Sequence, residues 1–318
     1  MSSPIVEKIL KRINRPDLVS VLTNELSGSE LNSLLLEIFE QKTKSISPPE
    51  LLNQYQVNRF VKPSDLPVLE LKRMELELLQ LFQRHSFLPI ELSPVSMLGS
   101  CSVVALANQK KILSALRGTE VLADSTNALA LHASDLRQQK QTSGSSSDIR
   151  MKFCNIQRQL RAQAITGKGF TPHFKIGCLV TCGSDTGGHE FEKNSLHEHV
   201  QVIKELFLGY YKADGVSFQL LRREGSAGPE NFVNEVADFL LLQDPGVDLS
   251  VIDQPAHKTN YYKGLQYKIN IRMAGKTFEI GDGGFVNWTQ HLLQNKKERM
   301  LSTGFGFDFM YRILSGQL

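Results

Sequence analysis

Three groups of residues have types and spacings that could do chemistry. Asp124 and Thr126 stand two apart at the head of an apolar helical run, T-E-V-L-A-D-S-T-N-A-L-A-L-H-A-S over residues 119–134. A carboxylate and a hydroxyl converging at a helix start suit a cation, because each accepts an N–H bond and the carboxylate adds charge. The same pair is also ordinary helix-capping chemistry. Arg158, Arg161 and Gln163 lie along a strand-like segment that turns at Gly167 and Gly169 into a second strand carrying Lys175. Arginine on such a hairpin offers a phosphate a planar, permanently charged clamp. Tyr261 and Tyr262 precede an alternating run (Tyr267, Ile269, Ile271) and the cluster Gly281, Gly283 and Gly284. Glycine at a strand end marks a bulge, a positive φ or a close approach of backbone to something small, such as a pocket floor; an ordinary hairpin satisfies the same pattern.

Other constellations carry less. His197 and His199 are two apart, a spacing that puts them on different helical faces and makes a poor zinc site, so a solvated helix start is expected there and no metal. The four cysteines, Cys101, Cys154, Cys178 and Cys182, are too scattered for a disulfide scaffold or a zinc ribbon and read as buried thiols. Cys178 and Cys182, four apart on one strand, share a side. A formal net charge of +3 over 318 residues, with no block of five or six like charges, compels neither a nucleic-acid nor a membrane partner. No run of eighteen apolar residues and no charged-then-apolar leader occurs, which predicts a cytoplasmic protein.

The elements that must position these residues can be read from periodicity. Residues 4–60 carry Ile5, Ile9 and Ile13, then Leu18 and Leu22, then Leu31, Leu34, Leu35 and Ile38 at helical spacing, with Ser27 or Ser29 as a cap and Pro48 and Pro49 breaking the chain before Leu51. From Asp65 a longer helix presents Leu69, Met74, Leu78, Leu81 and Phe82 on one face, followed by a strand-like F-L-P-I-E-L-S-P-V. Residues 138–147, Q-Q-K-Q-T-S-G-S-S-S, read as a loop within the domain. Val200, Ile203, Leu206 and Phe207 make one amphipathic helix, 216–221 a strand and 231–242 a second helix.

Taken in order, these segments resemble the histidyl-tRNA synthetase family of the class II aminoacyl-tRNA synthetases. That family has D-Y-Y-T-G…F-E…G-G-R-Y-D walling the amino-acid pocket; Asn260 stands for the acid, Tyr261 and Tyr262 for the tyrosines, Gly283 and Gly284 for the paired glycines. Asp124 and Thr126 keep the acid-x-Thr spacing of L-R-P-E-x-T, which holds the substrate's ammonium. In F-R-Y-E-R-P-Q, Arg158 matches the arginine that grips the α-phosphate of ATP, Arg161 and Gln163 match the later R and Q, and Leu160 takes the glutamate's place. Ile176 and Gly177 align with F-H-Q-I-G-V-E, so that Lys175 falls on the glutamine and Leu179 on the glutamate that reads imidazole. A leucine there leaves a buried N–H without its acceptor, at about 1–3 kcal/mol, which points away from histidine as ligand. His257 stands where R-G-L-D has its arginine, and a neutral imidazole is no permanent countercharge. S-T-G-F-G-F-D-F-M-Y-R-I-L resembles G-x-G-x-E-R-L, with Gly304, Gly306 and Asp308 fitting, Phe309 in place of the γ-phosphate arginine and Arg312 almost one turn on. The helix and strand before Pro94 resemble the motif that pairs two protomers.

The resemblance implies an α+β fold: a six- or seven-stranded, mostly antiparallel sheet flanked by helices over residues 63–318, with an N-terminal helical region over 1–62. It implies a homodimer. The N-terminal helices themselves read as a small bundle packed on the main domain, with a module that docks a protein partner as the alternative. The amino-acid side keeps Asp124, Thr126, Tyr261, Tyr262, Gly283 and Gly284. The phosphate side would rest on Arg158, Arg161, Gln163, Lys175, His257 and Arg312, with the family's key groups replaced. The expected function is therefore a non-catalytic paralogue that binds an amino acid or related small ligand, similar to the regulatory subunit of ATP phosphoribosyltransferase, with no cofactor. One alternative is an adenylating ligase using ATP and Mg; another is an interaction protein with a vestigial pocket. With the chain stopping after the third motif, tRNA is not an expected partner.

Overall fold

The computed structural model describes residues 3–142, 150–163, 171–224, 231–252 and 261–318. His257, Asn260 and the Gly167 and Gly169 turn lie outside the described residues.

Four helices open the chain: α1 (Pro4–Arg12), α2 (Leu18–Asn24), α3 (Gly28–Lys44) and α4 (Pro48–Val57). Ser27 caps α3 and Ser47 caps α4, each reciprocated by a glutamate three residues on, Glu30 and Glu50. Pro48 and Pro49 therefore begin a helix rather than break one, since the first helical turn has no use for their missing N–H groups. None of the four helices buries a residue. The segment after them is strapped to the body, with Arg59 donating to the carbonyl oxygen of Ala162 at 2.5 Å.

Next come α5 (Val68–Arg84), the short β1 (Leu88–Pro89) and β2 (Val95–Met97), β3 (Thr119–Val121) and α6 (Ser125–Thr142). The face that α5 buries is Leu71, Met74, Leu78, Leu81 and Phe82. Leu69, expected on it, is 74% exposed; two residues from Leu71 is about 200° around a helix. The expected strand over 87–95 splits in two, because β1 pairs with the main sheet while β2 pairs only with β3. Gln138 to Thr142, expected as loop, continue α6.

The remaining elements are β4 (Met151–Leu160), β5 (His173–Ser184), α7 (Glu190–Lys204), β6 (Gly215–Arg222), α8 (Phe232–Gln243), β7 (Asp248–Ile252), β8 (Leu265–Met273), β9 (Lys276–Val286), α9 (Trp288–Leu293), β10 (Glu298–Gly306) and α10 (Phe307–Leu314). One eight-stranded sheet runs in the order β1-β4-β5-β10-β9-β8-β6-β7, one or two strands wider than expected. Its interior pairs are antiparallel and only the two edge strands are parallel to their neighbours.

The sheet has two differently covered faces. One carries a large core built with α5, α7, α8 and α10, including Phe82, Phe207, Tyr267 and Phe305. The other carries a smaller core with α6 and α9, including Leu129, Phe153, Cys178 and Trp288. Strand residues alternate between them, apart from a bulge in β9 at Ile280, so a one-residue change of register moves a side chain from one chemistry to the other. Among the described residues no helix is long and apolar enough to cross a membrane.

Candidate functional site

On the α6 face the sheet is left partly uncovered beside the start of that helix, and there the side chains are polar. Asp124 sits at the helix start: its Oδ1 accepts the Thr126 backbone N–H at 2.9 Å and the Thr126 hydroxyl at 2.6 Å. Its second oxygen, Oδ2, accepts the Tyr261 hydroxyl at 2.8 Å. Capping and site formation thus coexist, one carboxylate oxygen serving each. Tyr261 is buried on its other sides, its ring 5.0 Å from that of Trp288 and 4.7 Å from that of Tyr262. Burial first and the Asp124 charge second hold its phenol well above the usual tyrosine range, so it remains a proton donor.

Tyr262 repeats the arrangement with a different acid. Its hydroxyl donates to Asp282 Oδ1 at 3.1 Å, while the Gln266 amide donates to Asp282 Oδ2 at 2.7 Å. Two adjacent tyrosines therefore each anchor one carboxylate of the same cavity. Burial raises the Asp282 carboxyl above its usual range, and the two donors only partly offset it. Neither Asp124 nor Asp282 forms an ion pair with any described residue.

These groups line two adjoining chambers. The inner one, about 190 Å³, is floored by the sheet at Ile176, Cys178, Ser302, Gly304 and Gly306 and walled by Asp124, Thr126, Gln159, Arg161, Tyr261, Tyr262 and Asp282. The outer one, about 440 Å³, shares Asp124, Arg161, both tyrosines and Asp282 and adds Lys111, Gln163 and Arg223. Arg161 donates to the Ala123 carbonyl at 3.1 Å and lies 5.4 Å from the Phe174 ring centre. Arg223 donates to the Gln266 side chain at 2.7 Å, which links it indirectly to Asp282. Gln159 completes the wall, its amide nitrogen donating to the Ala123 carbonyl and its oxygen accepting the Ser125 backbone N–H at 3.1 Å.

The structure brings together Asp124, Thr126, Tyr261, Tyr262, Arg161 and Gln163. It does not bring Arg158, Lys175 or Arg312 with them. On β4 the odd residues Gln159 and, just beyond the strand, Arg161 face the chambers, which turns Arg158 to the α10 side. There it lies 3.6 Å from Asp308 and 2.9 Å from His173 Nδ1. Lys175, its direct partner across the strands, ion-pairs with Glu75 of α5, and Arg312 donates to Asp65 at 2.6 Å. The hydrogen bond from Arg312 holds Asp65 below the usual carboxylate range. All three charges are spent on carboxylates of the covering layer.

The same parity corrects the leucines. Leu179 is fully buried in the large core, so it is Cys178 that faces the chamber, and the missing acceptor inferred at position 179 has no bearing on the ligand. Burial pushes the Cys178 thiol well up, keeping it protonated and weakly polar. The paired glycines also part. A Cβ on Gly284 would sit 2.7 Å from the Tyr262 ring, whereas one on Gly283 would meet the Tyr267 ring of the opposite face at 2.6 Å. Gly284 supports the cavity wall, and Gly283 makes room for core packing.

His199 departs furthest from expectation. α7 begins nine residues before it, and His199 is fully buried between Thr181 at 2.9 Å and Thr303 at 2.6 Å. Desolvation drives its pKa down to about 3. The cysteines are all free and buried, and no group of residues able to hold a metal occurs among the described residues. A larger cleft, about 900 Å³, opens between α7 and α9 and contains none of the predicted residues; Arg299 there is bound to Asp185 and Glu192. Asp282 is the site residue that sequence reasoning missed. Its signal was an acid embedded in a run of strand glycines, where no neighbouring side chain could shield it.

No protein-family model and no curated protein matches the sequence. Solved structures do match the fold. Histidyl-tRNA synthetase from S. aureus superposes with a TM-score of 0.58 at 12% identity, over 80% of this chain and 69% of that one. An ATP phosphoribosyltransferase regulatory subunit/histidyl-tRNA synthetase from Bacillus halodurans C gives 0.60 at 12% identity, over 81% and 82%. The RNA binding domain of threonyl-tRNA synthetase from Cryptosporidium parvum Iowa II gives 0.58 at 10% identity, over 77% of this chain and 63% of that one. At such identities the shared property is architecture: the chain has the fold of the class II aminoacyl-tRNA synthetases, and its tyrosine-anchored carboxylates lie on the open face of that sheet.

Proposed function

We propose that this protein binds a free amino acid or a closely related amine in the double chamber and acts without catalysing its transfer to tRNA. The observation that carries the reading is the convergence of Asp124, Thr126 and Tyr261 on one cavity. An ammonium group needs a charge to offset its own and several oxygens to take its three N–H bonds. One carboxylate and two hydroxyls supply both. By analogy with the regulatory-subunit-like neighbour from Bacillus halodurans C, the bound ligand would be a signal read by a partner rather than a substrate.

A second reading keeps support from the outer chamber. Lys111, Arg161 and Arg223 line it, and three cations beside an amino-acid site would suit a triphosphate bent for adenylate formation, with ATP and Mg as cofactors. Two experiments separate the readings. In thermal-shift assays across the twenty amino acids, with and without ATP and Mg, the regulatory reading expects stabilisation by an amino acid that ATP does not enhance. Pyrophosphate exchange with any amino acid, abolished by Arg161→Ala, would replace it with the ligase. No stabilisation by any amino acid would leave only an interaction protein with a vestigial pocket. We further propose a homodimer, supported by the exposed Met97, Leu98, Val103 and Leu106 around β2; sedimentation as a monomer at micromolar concentration would dismiss it.

A further inference from the structure

The cavity contains two carboxylates where one ammonium needs one. Asp282 projects from β9 into both chambers. Across the β9–β10 ladder it faces Gly304, which has no side chain to shield it. Across β8 its partner is Lys268, but that amine turns away to Glu279 at 2.7 Å. An ionised carboxylate offers about four lone-pair sites. Tyr262 and Gln266 fill two of those on Asp282, whereas Thr126 and Tyr261 together fill three on Asp124. The acid with more unused acceptor capacity is thus the one with no part in helix capping. Arg223 is linked to it by hydrogen bonds through the Gln266 amide and by charge.

Two acids lining one cavity repel each other, and burial adds to the cost of keeping both charged. A ligand with a single positive centre relieves one of them. A ligand with two, spaced by an aliphatic chain, relieves both. The cations that line the same walls, Arg161 above all, are placed to take a negative group at the ligand's other end. We infer that Asp282 is a specificity determinant that selects an amino acid carrying a second cationic nitrogen on its side chain, of the lysine, ornithine or arginine class. This inference rests on the amino-acid reading of the site and narrows it.

The test is a comparison of side chains that differ only in the second charge. Titration calorimetry on the full chain with L-lysine and with L-norleucine, its near-isostere lacking the amine, should show lysine or one of its cationic relatives binding at least tenfold more tightly. Asp282→Asn, which keeps the shape and one of the two acceptor positions, should remove that preference by bringing lysine affinity down to the level of norleucine in the same variant; Asp282→Ser serves if the first variant is unstable. Norleucine or glutamate binding as well as the basic amino acids, or a preference that survives Asp282→Asn, overturns the inference while the amino-acid reading stands. Stabilisation by Mg²⁺ alone that is lost in Asp282→Asn, with no basic-amino-acid binding, overturns it in favour of a cation site. If no amino acid binds, or if Asp124→Asn leaves every affinity unaltered, the underlying reading itself fails and takes the inference with it. Absence of that selectivity in the unaltered protein overturns the inference independently of how any variant folds.

Discussion

The two faces of the sheet use the same residue types to opposite ends. On the α5 and α10 side, Arg158, Lys175 and Arg312 meet Asp308, Glu75 and Asp65, so every cation has an acid and the layer is closed. On the α6 side, away from the buried Arg137–Glu298 ion pair at the far end of that helix, Asp124 and Asp282 meet hydroxyls and an amide, and Arg161 meets a carbonyl oxygen. Hydrogen bonds hold the acids in place without neutralising them. A charge that has found its counter-ion in the fold contributes to packing; one positioned but left unneutralised can act on a ligand.

The sharpest way to break this contrast is to charge the closed face. The pKa of His199, driven down to about 3 by burial, lies well below the 6.5 of an unperturbed imidazole. Between those values the unfolded chain binds a proton that the native one does not, so stability is full above pH 6.5 and falls as pH drops toward 3. At roughly 1.4 kcal/mol per unit, the loss across that window is on the order of several kcal/mol. Urea titrations at pH 7 and pH 4 should show it, and His199→Gln should flatten it; an equal pH dependence in that variant would show that the closed face is not the source.

Crowding the same face comes next. Gly283→Ala places a methyl 2.6 Å from the Tyr267 ring, and overpacking of this kind costs about 1–3 kcal/mol, read as a lower urea midpoint. A midpoint equal to that of the unaltered protein would mean that Tyr267 is not fixed where the two-face description needs it.

Changing the open face should move binding and spare stability. Asp124→Asn is expected to weaken amino-acid binding by about ten- to a hundredfold, corresponding to roughly 1.4–2.8 kcal/mol, with little change in the urea midpoint. A loss of stability without a loss of affinity would reduce Asp124 to a helix cap. The smallest effect belongs to Arg158→Gln. Its side chain is about one-third exposed and its ion pair with Asp308 is long, so the stability cost should stay below about 1 kcal/mol, and ligand affinity should not change. An affinity change there would join the two faces functionally and undo the distinction.

Much of this was readable from residue order. Helical spacing located α1 to α3 and α5, whereas the prolines read as a break begin α4, and of the expected α5 stripe Leu69 alone faces out. Residue types and spacing point to Tyr261, Tyr262, Asp124 and Thr126, and these four share one cavity. The phosphate clamp was not readable, because aligning Arg158 to a motif fixes a position along a strand but not the side it faces. With a side-chain period of two, an odd offset puts Arg161 rather than Arg158, and Cys178 rather than Leu179, on the chamber side.

Periodicity and local chemistry, which act over a few neighbouring residues, were enough to set most of the elements, the Ser27 cap and the residues able to hold an ammonium group. What required the folded sheet was everything that depends on partners contributed by other strands and helices. Lys175 is occupied because Glu75 comes to meet it, and Tyr261 is a site residue because it reaches Asp124. Asp282 stands exposed to the chamber because its cross-strand neighbours are a glycine and a lysine turned elsewhere. Whether a charge is neutralised depends on distance in space, and only the tertiary structure determines that distance.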